Sequence, residues 1–268
     1  MAKRIKNTGR RKRKNPPWIT AVQIAFVALL LLWMQFAVQN EWISRVFVAS
    51  PSQIVEELLY MLNENSLWPH LNVSLREVAL GYAISAVGGI GLGVVFVAFP
   101  LTEKLLDPLM AAVMAVPKTA IMPLLIVWFG VGFKSKVVLV VLFCFFNVLY
   151  NTVTGAKQTR TEHLKLARVF EASRTQTVFK VLLPSALPSI FNGLRVTAAT
   201  AITGVVFAEM AAARNGLGYL LNESQAVLNT PRLYLVIILV TILSVLFVGL
   251  VNLAERIICR RWKPDAAV

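Results

Sequence analysis

The sequence predicts an all-α integral membrane protein of about six transmembrane helices, and three observations carry that prediction. Hydrophobic residues make up 57% of the 268 positions and charged residues only 15%, with a mean hydropathy of +0.68, far from soluble composition. The apolar residues gather into runs of about twenty, the length that crosses a bilayer as a helix. Lys and Arg collect at one set of alternate loops, the bias that fixes membrane orientation.

The first run, Trp18–Val38, follows a basic tail over residues 1–17 that resembles a signal-peptide n-region. It is long enough to span, and no small-residue cleavage site follows it directly, so a retained helix over 18–38 is expected. An external segment, 39–70, comes next. Within it Ile54, Val55, Leu58, Leu59 and Leu62 recur at helical spacing opposite Glu56, Glu57 and Glu64, which predicts a short amphipathic helix at the outer interface.

Further spanning runs fall at about Leu71–Phe99, Pro108–Gly130, Val137–Thr154, Ile190–Ala212 and Leu233–Ile257. They define a core over 71–257, interrupted by a loop over 156–189 and followed by a tail over 258–268. With the N-terminus inside, 19 Lys and Arg fall on the cytoplasmic side. Arg45, Lys134, Lys136, Arg214 and Arg232 fall outside, so both termini and the 156–189 loop are expected in the cytoplasm.

Composition also excludes function classes. A net charge of +14 could suggest nucleic acid, but basic residues that bracket apolar spans mark cytoplasmic loops, and no nucleic-acid partner is expected. Cys144 lies inside an apolar run and Cys259 in a basic tail, while His70 and His163 are isolated, so neither a disulfide nor a metal site is indicated. There is no phosphate loop, no HExxH, no GxSxG and no carboxylate cluster, so nothing here hydrolyses ATP or a peptide by itself. An integral membrane enzyme would need such a cluster.

Small residues recur every four positions in two spans: Gly81, Ser85, Gly89 and Gly93, and Thr200, Gly204, Ala208 and Ala212. Each set makes a narrow seam where another helix backbone can approach. The third run carries Pro108, Pro117 and Pro123 around Lys118. Proline opens the backbone ladder, which is tolerated at membrane depth only where neighbouring groups or a polar cavity satisfy the freed carbonyls. This run is therefore the expected pathway-lining element. Ionisable residues inside spans are functional candidates because leaving a charge in lipid is costly. They are Glu77, Lys118 and Glu209, with Arg76 and Arg195 nearer the ends, where snorkelling to headgroups is the simpler reading.

The 156–189 loop is patterned. Leu164, Ala167 and Arg168 precede a turn-like Glu171-Ala172-Ser173, and Val178, Phe179, Val181 and Leu182 then form an apolar face before Leu183-Pro184 and Leu187-Pro188. The pattern predicts a helix, a bend, a second helix and a proline-set start to the fifth span. A structured, basic, partly apolar loop is what docking to a soluble partner requires.

At these residues the chain resembles the inner-membrane permease subunits of ATP-binding-cassette importers. Their cytoplasmic loop carries a motif of the type EAA, three residues, Gly, about nine residues and Ile-x-Leu-Pro. Ala167 and Arg168 match its start, Ala172 and Ser173 follow its Gly, and Leu183 and Pro184 match its Leu-Pro. From about Ser50 to Trp262, "SPSQIVEELL", "LWPHLNVSLREVALGYAIS", "LLDPLMAAVMAVPKTAIMPLLIVWFGVG", "LPSALPSIFNGLRV" and "AEMAAARNGLGYLL" resemble the nitrate, sulfonate and taurine branch. Two departures from the motif matter: Lys165 stands at its first Glu and Glu171 at its Gly.

The resemblance implies the type I importer permease fold and a coupling helix that inserts into a groove of an ATPase subunit. It implies coupling through Lys165, Ala167, Arg168, Glu171, Ala172, Ser173, Arg174, Leu183 and Pro184. It further implies a second copy of the permease, two ATPase subunits that hold ATP and Mg, an external solute-binding protein, and no cofactor on this chain. Lys118, beside Pro117 and Pro123, and Glu209 are the expected pathway residues, and a cation there favours a small anion such as nitrate, a sulfonate or a carboxylate. Related permeases also serve thiamine-precursor pyrimidines. A self-sufficient ion-coupled transporter, with Lys118 and Glu209 as its site, is the rival reading, but no inverted repeat supports it.

Overall fold

The computed structural model describes residues 17–260. The expected tails over 1–17 and 258–268 lie outside them, except for position 17 and residues 258–260, which end the first and last helices. Among the described residues the chain is helical throughout: α1 Pro17–Gln39, α2 Pro51–Asn63, α3 Leu67–Ala98, α4 Pro100–Ala115, α5 Met122–Phe129, α6 Phe133–Lys157, α7 Thr161–Val169, α8 Arg174–Thr177, α9 Leu183–Ala212, α10 Leu217–Ala226 and α11 Thr230–Arg260. Among the described residues five helical stretches are long and apolar enough to cross a membrane, and the bent pair of α4 and α5 makes a sixth where it is counted as one span.

Helix α6 is the centre of the bundle, packed between α3 and α9. Its Val140, Val148 and Thr152 lie against Gly81, Gly89 and Gly93, so α3 and α6 run in the same direction. On its other side Asn151 meets Gly193 and Phe143 meets Gly204, so α9 runs the opposite way. Both small-residue seams therefore face α6. Close backbone approach of this kind drives association where lipid removes the hydrophobic effect between helices. Val78, Val140, Cys144, Ala201, Ile202 and Val205 fill the centre. Helix α11 returns along α9, where Arg195 Nε donates to Asn252 Oδ1 over 2.6 Å and the same guanidinium pairs with Glu255. Arg195 is thus tied between two helices, whereas Arg76 is exposed.

The third apolar run differs from a single span over Pro108–Gly130. Its two helices meet at 82°, joined through a 3-10 turn over Lys118–Ile121. The cause is local. Val116, ahead of Pro117, takes φ −69° and ψ 129°, because the proline ring pushes the preceding residue out of the helical region. Pro123 sits in the first turn of α5, where its missing N–H costs nothing. Met122 and Leu125 then anchor α5 on Leu139 and Ala208.

Helix α2 is amphipathic, but it packs on protein as well as at a surface. Met61 is buried among Leu67, Leu217, Leu220 and Leu235, with Ile54, Leu58 and Leu62 alongside, while Val55 and Leu59 stay exposed. Glu57 accepts from Arg232 Nε over 2.6 Å. Ser50 and Gln53 form a capping box at its start.

A second difference concerns the fifth span, which does not start anew at the prolines. Helix α8, a π segment over Val178–Leu182 and α9 run on as one helical stretch, Arg174–Ala212. The wider π turn lies just before Pro184, where the ladder loses a donor, and Ser185 Oγ donates to the Val181 carbonyl over 2.7 Å. The loop is consequently an extension of the helix that packs on α6.

Candidate functional site

Two regions at opposite ends of the bundle hold the chemistry. The first lies where α3 and α6 begin and α9 ends. Lys136, in the first turn of α6, is 5% exposed, and its Nζ donates to Glu77 Oε1 over 2.6 Å. Glu77 itself is 1% exposed, and its Oε2 has no hydrogen-bond donor among the described residues. Beside this pair opens a cleft of about 450 Å³, lined by Glu77, Gly132, Lys136, Ala213, Arg214 and Asn215 among others.

Next to the cleft, α10 is fastened by its first three backbone N–H groups, which have no partner within the helix. Gly216 N donates to His70 Nδ1 (3.1 Å), Leu217 N to Ser74 Oγ (2.8 Å) and Gly218 N to Glu209 Oε2 (2.7 Å). Ser74 Oγ donates in turn to Glu209 Oε1 over 2.6 Å. A carboxylate at a helix N-terminus meets both the free donors and the helix dipole. Gly216, at φ 125°, and Gly218 leave the room: a Cβ on the first would strike the Glu209 carboxylate and on the second the Val206 carbonyl.

Glu209 thus holds α10, and it is not among the residues that line the cleft. Lys118 lies elsewhere, half-buried in the 3-10 turn with Nζ 5.6 Å from the centre of the Phe143 ring, so the structure does not bring Lys118 and Glu209 together. Pro117 and Pro123 are exposed on either side of it. Lys136, Ser74 and His70 were missed as site residues. Lys136 counts in sequence as one more charge of an external loop, and His70 as an isolated histidine. The available signal was helical spacing, since His70, Ser74 and Glu77 share one face of α3. Among the described residues no group of three or more His, Cys, Asp or Glu could hold a metal.

The second region is the α7–α8 hairpin. Helix α7 ends in a complete Schellman turn, in which Ala172 N donates to the Ala167 carbonyl (2.9 Å) and Glu171 N to that of Arg168 (3.0 Å). Glu171 is the left-handed residue of that turn, at φ 50°. Ser173 then caps α8, accepting from Gln176 N at 3.2 Å while Gln176 Oε1 accepts from Ser173 N at 2.9 Å. Lys165, Arg168, Glu171, Ser173 and Arg174 are exposed. Ala172, Leu183 and Pro184 are half-buried, and Ala167 is buried. Between α7 and the π segment lies a groove of about 540 Å³, walled by Leu166, Ala167, Phe170, Lys180, Val181 and Pro184. Val169 and Phe170 protrude, 76% and 80% exposed. Arg174 also reaches the Phe99 ring between α3 and α4, at 5.7 Å.

Residues 85–264 match the family described as "Binding-protein-dependent transport system inner membrane component". The chain belongs to that family. This importer permease is a multi-pass inner-membrane transport protein, and its family is not one of enzymes. It is 32% identical to the taurine transport system permease protein TauC of Escherichia coli over 88% of this chain and 86% of that one. It is 30% identical to the aliphatic sulfonates transport permease protein SsuC of Bacillus subtilis, over 91% and 88%. It is also 31% identical to the riboflavin transport system permease protein RibX of Chloroflexus aurantiacus, over 88% of each. Among solved structures, the MetNI methionine ABC transporter in an inward-facing conformation shares the permease's fold. There the TM-score is 0.62 at 21% identity, covering 74% of this chain and 96% of that one.

Proposed function

We propose that this importer permease moves a small anionic solute of the sulfonate, taurine or nitrate kind inward, driven by a separate ATPase. The observation that carries the reading is the α7–α8 hairpin, a capped, rigid loop with Val169 and Phe170 bared at its tip. Bared apolar side chains on a helical hairpin suit a groove on a soluble partner. Because α8 continues into α9, which packs on α6, a push on the hairpin is delivered to the bundle centre. ATP then drives the change through differential affinity of the ATPase for two arrangements of the bundle.

In this reading the assembly holds two copies of the permease, two ATPase subunits that carry ATP and Mg, and an external binding protein. The hairpin and both chain termini face the cytoplasm, in keeping with the positive charge on that side. The cleft end faces outward. Coupling runs through Lys165, Arg168, Glu171, Ser173 and Arg174 at the hairpin surface, and the path runs by the bent α4–α5 span with Lys118, Pro117 and Pro123. Similarity to TauC and SsuC supports the substrate class. Similarity to RibX keeps an uncharged or larger heterocyclic solute as the second reading.

The deciding experiment is purification of the permease in mild detergent from its native membrane, with an ATPase assay on whatever accompanies it. A stoichiometric nucleotide-binding subunit with ATPase activity is expected. A homogeneous permease without ATPase activity, taken from membranes active in ATP-dependent uptake, would overturn the reading.

A further inference from the structure

We infer that the cleft between the start of α6 and the end of α9 is a binding site for the oxyanion group of a small solute, with Lys136 and Arg214 as its cationic walls. The inference rests on the proposed reading for its purpose but on the geometry of the cleft for its chemistry. Lys136 is buried at the cleft wall, and Glu77 Oε1 is its one hydrogen-bond acceptor among the described residues. An ammonium carries three N–H donors. A buried ammonium left with donors unmatched is costly, so the cleft must supply acceptors, either water or an anion.

The charges of the cleft walls do not cancel. Glu77 is matched by Lys136, while Arg214, from the strand of chain just past α9, forms no ion pair among the described residues. The neighbouring carboxylate, Glu209, bonds Ser74 and Gly218 and does not line the cleft; its charge acts on the Glu77–Lys136 pair, and Arg214 is left without a carboxylate partner among the described residues. What remains is a surplus positive charge in a recess, where low-dielectric walls concentrate the field. The guanidinium offers a planar fork matched to sulfonate, carboxylate or nitrate oxygens. Gly132 and Ala213 keep the walls low, and about 450 Å³ holds a molecule of that size with room for water.

The test uses the full-length permease with its ATPase in phosphatidylcholine proteoliposomes, Cys144 and Cys259 replaced by Ser, and a single reporter, Ala213→Cys. The rates of modification by the anionic sulfonatoethyl and the cationic trimethylammonioethyl methanethiosulfonates are each divided by the rate with free 2-mercaptoethanol. The normalised anion-to-cation ratio is expected to be about tenfold above one. Arg214→Gln, an exposed substitution, should bring it to about one. Ethanesulfonate or nitrate at millimolar concentration should slow the anionic reagent in the parent and not in Arg214→Gln.

A ratio at or below one, or one unmoved by Arg214→Gln, would overturn the inference. So would a raised ratio with no protection by either anion, which is steering without a site. Labelling needs neither ATP nor uptake, so its failure is distinguishable from failure of the importer reading, which the ATPase purification tests.

Discussion

Lys136 and Glu77 form a buried ion pair that pins the first turn of α6 to α3 across 2.6 Å. Removing one partner strands the other charge in the bundle, whereas removing both leaves an apolar contact. Lys136→Met should therefore destabilise the permease by about 3–5 kcal/mol, and Glu77→Leu with Lys136→Met should regain most of the loss. Thermal unfolding in one detergent measures both. Equal losses in the single and double variants would mean that the ion pair is not what joins these helices.

Glu209 secures α10 through Gly218 N and Ser74 Oγ. In Glu209→Gln the side chain keeps one acceptor oxygen, so one of the two donors loses its partner, at a cost of about 1–3 kcal/mol. Amide exchange across Gly216–Gly218 should then speed up by about tenfold or more, since local opening is what limits it. Unchanged exchange in that segment, read by mass spectrometry, would show that α10 is held by its Leu217 and Leu220 packing instead.

What could be read in the sequence was whatever repeats locally. The four-residue spacing of Gly81, Ser85, Gly89 and Gly93 announces a close helix contact, and Pro117 and Pro123 announce an opened backbone ladder, because both depend on neighbours in the chain, although the 82° bend itself was not legible. The partner of Glu77 lies 59 positions away, and helix α10 is held by side chains from α3 and α9. No local period encodes such contacts. The left-handed Glu171 was half legible: a glycine-type position was recognisable from the motif resemblance, but not that a glutamate occupies it at φ 50°.

That position separates strain from docking in the hairpin. Glu171→Gly relieves a left-handed conformation worth about 1 kcal/mol and should tighten the turn. ATPase association should nevertheless weaken, because the exposed Glu171 carboxylate is one of the proposed coupling groups. Arg168→Glu, in contrast, reverses charge on an exposed face and should abolish association while leaving membrane insertion intact, as should Ser173→Trp. Co-purification of the ATPase with each variant is the readout. Wild-type recovery with both Arg168→Glu and Ser173→Trp would remove this face from the docking surface.

Lys118 is the cation at the bend between α4 and α5, with Nζ 5.6 Å from the centre of the Phe143 ring on α6. Lys118→Met keeps the length and the contact with the ring but removes the charge. Uptake of an anionic solute should fall by about tenfold or more, for a lost interaction of about 1.4 kcal/mol or greater, with ATPase docking unchanged. Equal uptake by the variant would take Lys118 off the path.

Gly91 and Gly93 set helix propensity against packing within one turn of α3. A Cβ at Gly91 meets nothing within 4 Å, whereas at Gly93 it would lie 2.7 Å from Thr152 Cβ and Cγ2. Alanine is the better helix former by about 1 kcal/mol, so Gly91→Ala should be neutral or stabilising. At Gly93 the same gain competes with overpacking of about 1–3 kcal/mol, because α6 must move or Thr152 must turn. Thr152 Oγ1 is already bonded to the Val148 carbonyl at 2.8 Å, so turning it breaks that bond. Gly93→Ala should therefore melt below the parent and Gly91→Ala at or above it. Equal melting temperatures would mean that the seam yields freely, and the α3–α6 contact could then slide as the bundle changes state.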